Sequence, residues 1–319
     1  MRLASNDDIA AAARRLDGRI VPTPLLASPR LSQTLGLPVS LKAENLQHTG
    51  SFKVRGVLNA LLSRQERGDL PRGVTTFSAG NHAAATAFAA NALGLPSVVC
   101  MPHGAVVTKV EAVRRYGGDI VFTDDLLGTC QEIARDRGYE LLHPFDDPDV
   151  IAGQGTVGAE LVRDAPDVGL VLVPVGGGGL ISGVAAAVKA TLPGARVIGV
   201  EPVTANAMSH ALRTGTPAPL PHRPVSIADG LAAPFAGEHT LAHVHKFVDD
   251  VVELPEEAIL PAWWELLDAS KLLVEPSAAV GLAALRSNLV DVRPGTPTVL
   301  VLSGGNVAPA GLARLTEAV

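Results

Sequence analysis

The chain is poor in cysteine, in aromatic residues and in lysine, and it has no long uninterrupted apolar run. Its two cysteines, Cys100 and Cys130, lack CxxC spacing, which excludes a disulfide framework and points to a reducing compartment. Aromatic residues are 3% of the 319 positions, so the 47% hydrophobic content is carried mainly by small aliphatic side chains. That content is enough for one large or two medium cores and leaves no signature of disorder. Net charge is −6 with no basic block, which excludes nucleic acid as an expected partner. No stretch of about 20 apolar residues escapes interruption by Gly or Pro, so no membrane span is expected. The start, Met-Arg-Leu-Ala-Ser-Asn-Asp-Asp, is not a signal peptide: Ser5 reads as a helix cap with Asp7 and Asp8 in the first turn. A cytoplasmic location is the expectation from these absences.

What is present is alternation. β-like runs lie at Ser40–Ala43, Val74–Phe77, Ser97–Met101, Ile120–Thr123, Leu170–Val175, Val197–Val200, Phe247–Val252 and Thr298–Leu302. Helical patterns fall at Val54–Leu62, Ala83–Leu93, Lys109–Arg115, Leu127–Arg137, Gly155–Arg163, Ile181–Ala190, Glu256–Leu273 and Ala278–Leu285. Several strands are continuously apolar and β-branched, as strands buried on both faces should be. The order predicts an α/β protein with two open, mostly parallel twisted sheets flanked by helices. The Pro-rich stretch 214–225 reads as an ordered loop, because β/α patterning resumes after it.

Four segments carry chemistry. Thr49-Gly-Ser-Phe-Lys53 places one of only six lysines at the start of an amphipathic helix. The positive end of a helix disfavours an ammonium, so Lys53 is a candidate nucleophile with a lowered pKa; the plain alternative is a surface lysine on a first turn. Val173-Pro-Val-Gly-Gly-Gly-Gly-Leu180 runs a buried strand through Gly176, Gly177, Gly178 and Gly179 into a helix. Close approach of main-chain N–H groups to a phosphate explains four glycines better than a tight turn, which needs two. The segment is neither a Walker loop nor a GxGxxG turn. Ser78-Ala-Gly-Asn-His82 also lies between strand and helix and offers a carboxylate cradle, or else a capping turn with Ser78 or Asn81 as cap. Ser303-Gly-Gly-Asn306 puts a hydroxyl just past an apolar strand, where open α/β sheets bind ligands. A nucleophilic lysine beside a phosphate loop without nucleotide motifs fits pyridoxal 5′-phosphate, which forms an imine with lysine.

Together with Lys42–Gly56, Gly153-Gln-Gly-Thr156, Gly199-Val-Glu-Pro202, Ala228-Asp-Gly230 and Val274-Glu-Pro-Ser277, these segments resemble the serine/threonine dehydratases of the fold-type II (tryptophan synthase β-like) pyridoxal-phosphate enzymes. The resemblance spans nearly the whole chain. It implies that Lys53 holds the cofactor through a Schiff base, Phe52 packs by its ring, and Asn81 bonds its phenolic oxygen. Gly176 to Gly179 would bind the phosphate and Ser303 would face the pyridine nitrogen. Ser78, Ala79, Gly80, Asn81 and His82 would hold the substrate carboxylate. A neutral hydroxyl at Ser303 keeps the ring a weak electron sink, which favours expulsion of a β-hydroxyl over transamination. The implied reaction converts a 3-hydroxy amino acid, L-threonine or L-serine by default, to a 2-oxo acid and ammonia, with freed Lys53 as the base at Cα. The resemblance further implies a large domain of residues 1–69 and 149–319, a small mobile substrate domain of residues 70–148, a cofactor between them, and a homodimer.

Departures from the family pattern refine this expectation. The racemases carry a second serine, as acid/base, where this chain has Ala79. A methyl there favours a dehydratase acting on one enantiomer over a racemase. Metal-dependent members carry two carboxylates near the Glu-Pro segment; here Glu201 matches but the second position is Ala207, so no divalent metal is expected to be required. Ala279 stands where glycine is expected. The chain stops soon after Ser303–Asn306, so a regulatory domain and feedback inhibition by isoleucine are not expected. Three alternatives stand beside this reading. β-Replacement calls for Gly-Thr-Gly-Gly-Thr and Thr-Ser-Gly-Asn-Thr loops that are absent. A non-catalytic binding protein would be expected to have lost Lys53 or the glycine loop. Racemisation, or dehydration of another 3-hydroxy amino acid such as hydroxyaspartate, is the third.

Overall fold

In Leu170–Pro174, Leu170 and Leu172 join one apolar cluster and Val171 and Val173 join another. Val299 and Val301 split from Leu300 and Leu302 in the same way. Period-two alternation between two dry faces is why these strands read as unbroken apolar runs. The computed structural model describes residues 2–78, 80–308, 311, 312 and 315. The first half comprises α1 (Asn6–Leu16), β1 (Leu25–Ala27), α2 (Pro29–Leu35), β2 (Val39–Ala43), α3 (Lys53–Arg67), β3 (Val74–Phe77), α4 (Asn81–Ala92), β4 (Ser97–Met101), α5 (Val107–Arg115), β5 (Asp119–Phe122) and α6 (Leu126–Arg137). The second comprises β6 (Glu140–Leu141), α7 (Pro148–Asp164), β7 (Leu170–Pro174), α8 (Gly179–Thr191), β8 (Arg196–Pro202), α9 (Ala207–Thr214), α10 (Glu238–Phe247), β9 (Asp250–Leu254), α11 (Ile259–Ser270), α12 (Val280–Arg286) and β10 (Thr298–Leu302).

The strands form a six-stranded sheet in the order β1-β2-β10-β7-β8-β9 and a four-stranded sheet in the order β5-β4-β3-β6. Among the described residues only the β1–β2 strand pair is antiparallel. The α/β class with two mostly parallel sheets is thus as the alternation predicts. Parallel pairing of β2, β10 and β7 brings residues far apart in the chain to one edge: Leu302 stands beside Ala43, and Leu300 beside Leu172. The segments that leave those three strands begin at Glu44, Ser303 and Val175, so the three candidate loops emerge together, as expected at the carboxyl edge of an open sheet.

Three readings need correction. Phe247 ends helix α10, and the following strand begins at Asp250. Glu256–Leu273 is not one helix: a 3-10 turn at Glu256–Ala258 leads into α11, and Lys271 adopts φ 58°, which stops it. The helix expected over Gly155–Arg163 starts earlier, at Pro148, because Asp147 caps it through the N–H groups of Asp149 and Val150. The expected Ser5 cap is present as a capping box with Asp8. The Gly153–Thr156 motif serves packing: a Cβ at Gly183 of α8 would stand 2.4 Å from the Gly155 nitrogen of α7. Among the described residues no helix is long and apolar enough to cross a membrane.

Candidate active site

Helices α3, α4 and α8 begin in the candidate loops, and none has a side-chain cap. Among the described residues the N–H groups of Lys53 and Val54, of Asn81 and His82, and of Gly179 and Leu180 have no acceptor, so each helix offers two first-turn donors and the positive end of its dipole to an outside group. The capping alternative for Ser78 and Asn81 is not what forms: Gly80 is the cap residue of α4, and the Ser78 hydroxyl accepts from the Gly80 N–H at 3.1 Å. A Cβ at Gly80 would meet nothing within 4 Å, so this turn faces open space. Ala79 lies outside the described residues.

Lys53 is the first residue of α3, as the sequence predicts. The Phe52 N–H before it donates to the Ser303 carbonyl at 3.2 Å, and Ser51 bridges Gly304, so the strand-end loop fixes where α3 begins. The Lys53 Nζ donates to the Pro144 carbonyl at 2.9 Å and lies 5.1 Å from the Phe52 ring centroid. Burial lowers its pKa from 10.5 to about 8, with Glu275 opposing the shift. Burial leads this depression, whereas the sequence reading rested on the helix terminus. The segment holding Pro144 adds an aromatic wall: His143 meets Phe145 edge-on at 4.6 Å between centroids, and Phe145 meets Phe235 at 5.7 Å.

Asn81, on the first turn of α4, donates from Nδ2 to Glu275 Oε1 at 2.8 Å and accepts at Oδ1 from Asn306 at 2.9 Å. Glu275 is buried, and burial raises its pKa to about 7, with nearby Asp229 adding to the rise and Asn81, Lys109 and Lys53 opposing it. A Cβ on Gly304 would stand 2.7 Å from Glu275 Oε1, 3.1 Å from Ser51 Cβ and 3.2 Å from Asn81 Nδ2. Those side chains therefore converge on the backbone beside Ser303, which is itself buried. Sequence reasoning gave Glu275, Asn306 and His143–Phe145 no role. Glu275 did carry a signal, the lone charged residue of the stretch Leu272–Ala279.

The His82 ring is turned inward. It is buried, its Nε2 lies 3.3 Å from the Leu142 carbonyl, and burial followed by the nearby Lys53 charge lowers its pKa to about 3. It is a neutral ring whose Nδ1 is buried without a partner among the described residues.

The residues fit a phosphate-bearing group. Among the described residues, no hydrogen bond engages the N–H groups of Gly176 to Leu180. Gly178 has φ 95°, and a Cβ at Gly177 would stand 2.3 Å from Phe145 Cδ1, so only bare backbone can form this cradle. Among the described residues the buried hydroxyls of Ser51 and Ser277 lack partners, like His82 Nδ1. Glu201 is committed elsewhere: its carboxylate accepts from the N–H groups of Met208 and Ser209 at 3.1 and 2.7 Å, at the start of α9. Burial raises its pKa to about 7.

Comparison with known proteins agrees with this geometry. The family model described as pyridoxal-phosphate dependent enzyme matches residues 16–304. An L-threonine ammonia-lyase of Geobacter sulfurreducens is 45% identical over 303 residues, covering 94% of this chain and 75% of the relative. An L-threo-3-hydroxyaspartate ammonia-lyase of Saccharomyces cerevisiae is 37% identical, covering 94% and 92% of the two chains. The structure of maize serine racemase superimposes with a TM-score of 0.91 at 34% identity, covering 99% of this chain and 98% of that one.

Proposed function

The chain belongs to the pyridoxal-phosphate dependent enzymes, and we propose that within that family it is an ammonia-lyase converting L-threonine, and L-serine as a second substrate, to a 2-oxo acid and ammonia. The observation that carries the reading is the buried Lys53 amine placed among three uncapped helix starts. When bound, pyridoxal 5′-phosphate supplies a carbonyl for the substrate amine and an electron sink for the bond broken at Cα.

The chain's own residues supply the rest of the proposal. The N–H groups of Gly176–Gly179 would hold the phosphate, Phe52 would pack by the ring, Asn81 would bond the phenolic oxygen, and Ser303 would face the pyridine nitrogen. The α4 start, Ser78 and Gly80 to His82, holds the carboxylate, with His82 contributing backbone rather than an imidazolium, since its ring stays neutral. The expected role of Ala79 in the same turn is retained on the resemblance. Lys53 would take the Cα proton, the β-hydroxyl would leave with a proton as water, and hydrolysis of the released enamine would give the 2-oxo acid and ammonia. The wall of His143, Phe145 and Phe235 excludes water. We further propose that residues 70–148 move as a small domain over the larger one, and that the enzyme is a cytoplasmic homodimer with reduced Cys100 and Cys130. With Ala207 beside a Glu201 already bonded to helix amides, no divalent cation is required.

The test is release of 2-oxo acid and ammonia from L-threonine, L-serine, their D-forms and L-threo-3-hydroxyaspartate, without added metal. Product from the L-enantiomers alone is expected. Dominant turnover of hydroxyaspartate would give the chain the activity of its Saccharomyces cerevisiae relative. Appearance of D-serine from L-serine would make it a racemase.

The cradle has its own test. In Gly178→Ala the new Cβ must accept φ 95° and stands 2.4 Å from Met208 Cε and 2.9 Å from Thr240 Cβ. A left-handed conformation costs an L-residue about 1–2 kcal/mol, so pyridoxal-phosphate affinity should fall by about tenfold or more. Gly194→Ala, which adds its Cβ to open space, should leave affinity unchanged in the same fluorescence titration.

A further inference from the structure

Several polar contacts join the units built on the two sheets, among them Arg64 with Glu140 and Asp146 with the start of α10, and two more bear on α5 and α4. One is the Lys109–Asp229 ion pair at 2.6 Å, on the surface. The other runs as a chain through Asn81. Glu275 accepts from Asn81 Nδ2; Asn81 Oδ1 accepts from Asn306 Nδ2; and Asn306 Nδ2 also donates to the Thr49 carbonyl at 2.7 Å.

The direction of this chain is set by chemistry. The Thr49 carbonyl can only accept, so Asn306 turns its amino group to it and to Asn81 Oδ1, and Glu275 in its ionised form can likewise only accept. Turning the Asn81 amide over would set oxygen against oxygen at one end and N–H against N–H at the other. The amide is thereby held in one orientation, with one of its own two N–H groups left over.

The far end of the chain is a strained turn. Thr49 has φ 61°, an uncommon conformation for a β-branched residue, and Gly50 follows with φ 73°. Gly305 N–H donates to the Gly50 carbonyl at 2.9 Å, and Ser51 bridges Gly304. The turn that delivers Lys53 is thus pinned by residues 304–306, and Asn306 touches both that turn and α4.

We infer that Glu275 and Asn306 are positioning residues that orient the Asn81 amide across the cleft and couple seating of α4 to the Thr49–Lys53 turn. The role of Asn81 toward the cofactor rests on the function proposed above; the coupling between the two segments does not.

The experiment uses the holoenzyme with Asn306→Ala, Glu275→Ala and Glu275→Gln, read by amide hydrogen exchange and by kinetics with L-threonine. In Asn306→Ala, exchange should rise several-fold in both 47–53 and 80–92. In Glu275→Ala it should rise in 80–92 alone. Leaving the Asn81 amide without this buried partner should raise KM for L-threonine by about tenfold, with kcat falling less. Glu275→Gln keeps an acceptor oxygen and should stay within about twofold of the parent in both readouts. Exchange confined to 47–53 in Asn306→Ala, or Glu275→Gln matching Glu275→Ala, would overturn the inference. If the parent turns over none of the amino acids, the proposed substrate is wrong, and the exchange pattern alone still decides the coupling.

Discussion

Lys53→Ala is expected to lower 2-oxo-acid formation by at least about 10³-fold, because one amine both anchors the cofactor and moves the Cα proton. The fold should survive, since among the described residues the Nζ makes a single hydrogen bond, to Pro144. Lys53→Arg should be as inactive as the alanine variant: a guanidinium keeps its proton and forms no imine. The depressed pKa adds a quantitative signature. With a pKa of about 8, about 10% of Lys53 is neutral at pH 7, against roughly 0.03% for an ordinary lysine at 10.5. Burial favours the neutral, reactive amine, so uptake of pyridoxal phosphate by the cofactor-free protein should accelerate with rising pH and level off above about pH 8. A rate still climbing toward pH 10 in stopped-flow absorbance would mean that Lys53 is solvated like a surface lysine. Wild-type turnover rates retained by Lys53→Ala would remove it from the chemistry.

The parts of this site that were legible in the sequence are those with a local signature. Gly176–Gly179 stands out because four consecutive glycines are costly unless backbone must approach something, and Lys53 because a Gly-Ser turn precedes a helical pattern. The strands of the larger sheet were legible because both faces are dry. β1 and β6 escaped notice at three and two residues, since so short a pairing leaves no period to read. Asn306 and Glu275 had no legible role for a different reason. Their meaning lies in meeting Asn81, 225 and 194 residues away, and no spacing records that contact. The inward turn of His82 was also hidden: a histidine two residues after Gly80 reads the same whether its ring lines the cleft or lies beneath it.

Arg55 gives the largest expected effect on stability. It follows Lys53 by two residues and is fully buried. Its Nε and Nη2 donate to the two oxygens of Glu44, each at 2.8 Å, and Nη1 and Nη2 reach Glu160 at 2.7 and 2.9 Å. Lys42, also buried, donates to Glu160 at 2.6 Å and to the Thr23 carbonyl at 2.7 Å. Two positive and two negative groups therefore cancel inside the protein, tying the start of α3 to the end of β2 and to α7. Burial alone would depress Arg55, but Glu44 and Glu160 outweigh it and hold its pKa above the ordinary value. Arg55→Ala leaves the two carboxylates with Lys42 alone, a net buried negative charge. The expected loss is about 3–5 kcal/mol, or a Tm lower by roughly 6–15 °C. Arg55→Lys keeps the charge but not the two-pronged contact with Glu44 and should fall between. Adding Glu44→Gln to Arg55→Ala should recover part of the loss, because it removes the charge left stranded. In calorimetry of the cofactor-bound enzyme, a double variant no more stable than Arg55→Ala would show that the side chain matters for its packing volume and not for balancing buried charge.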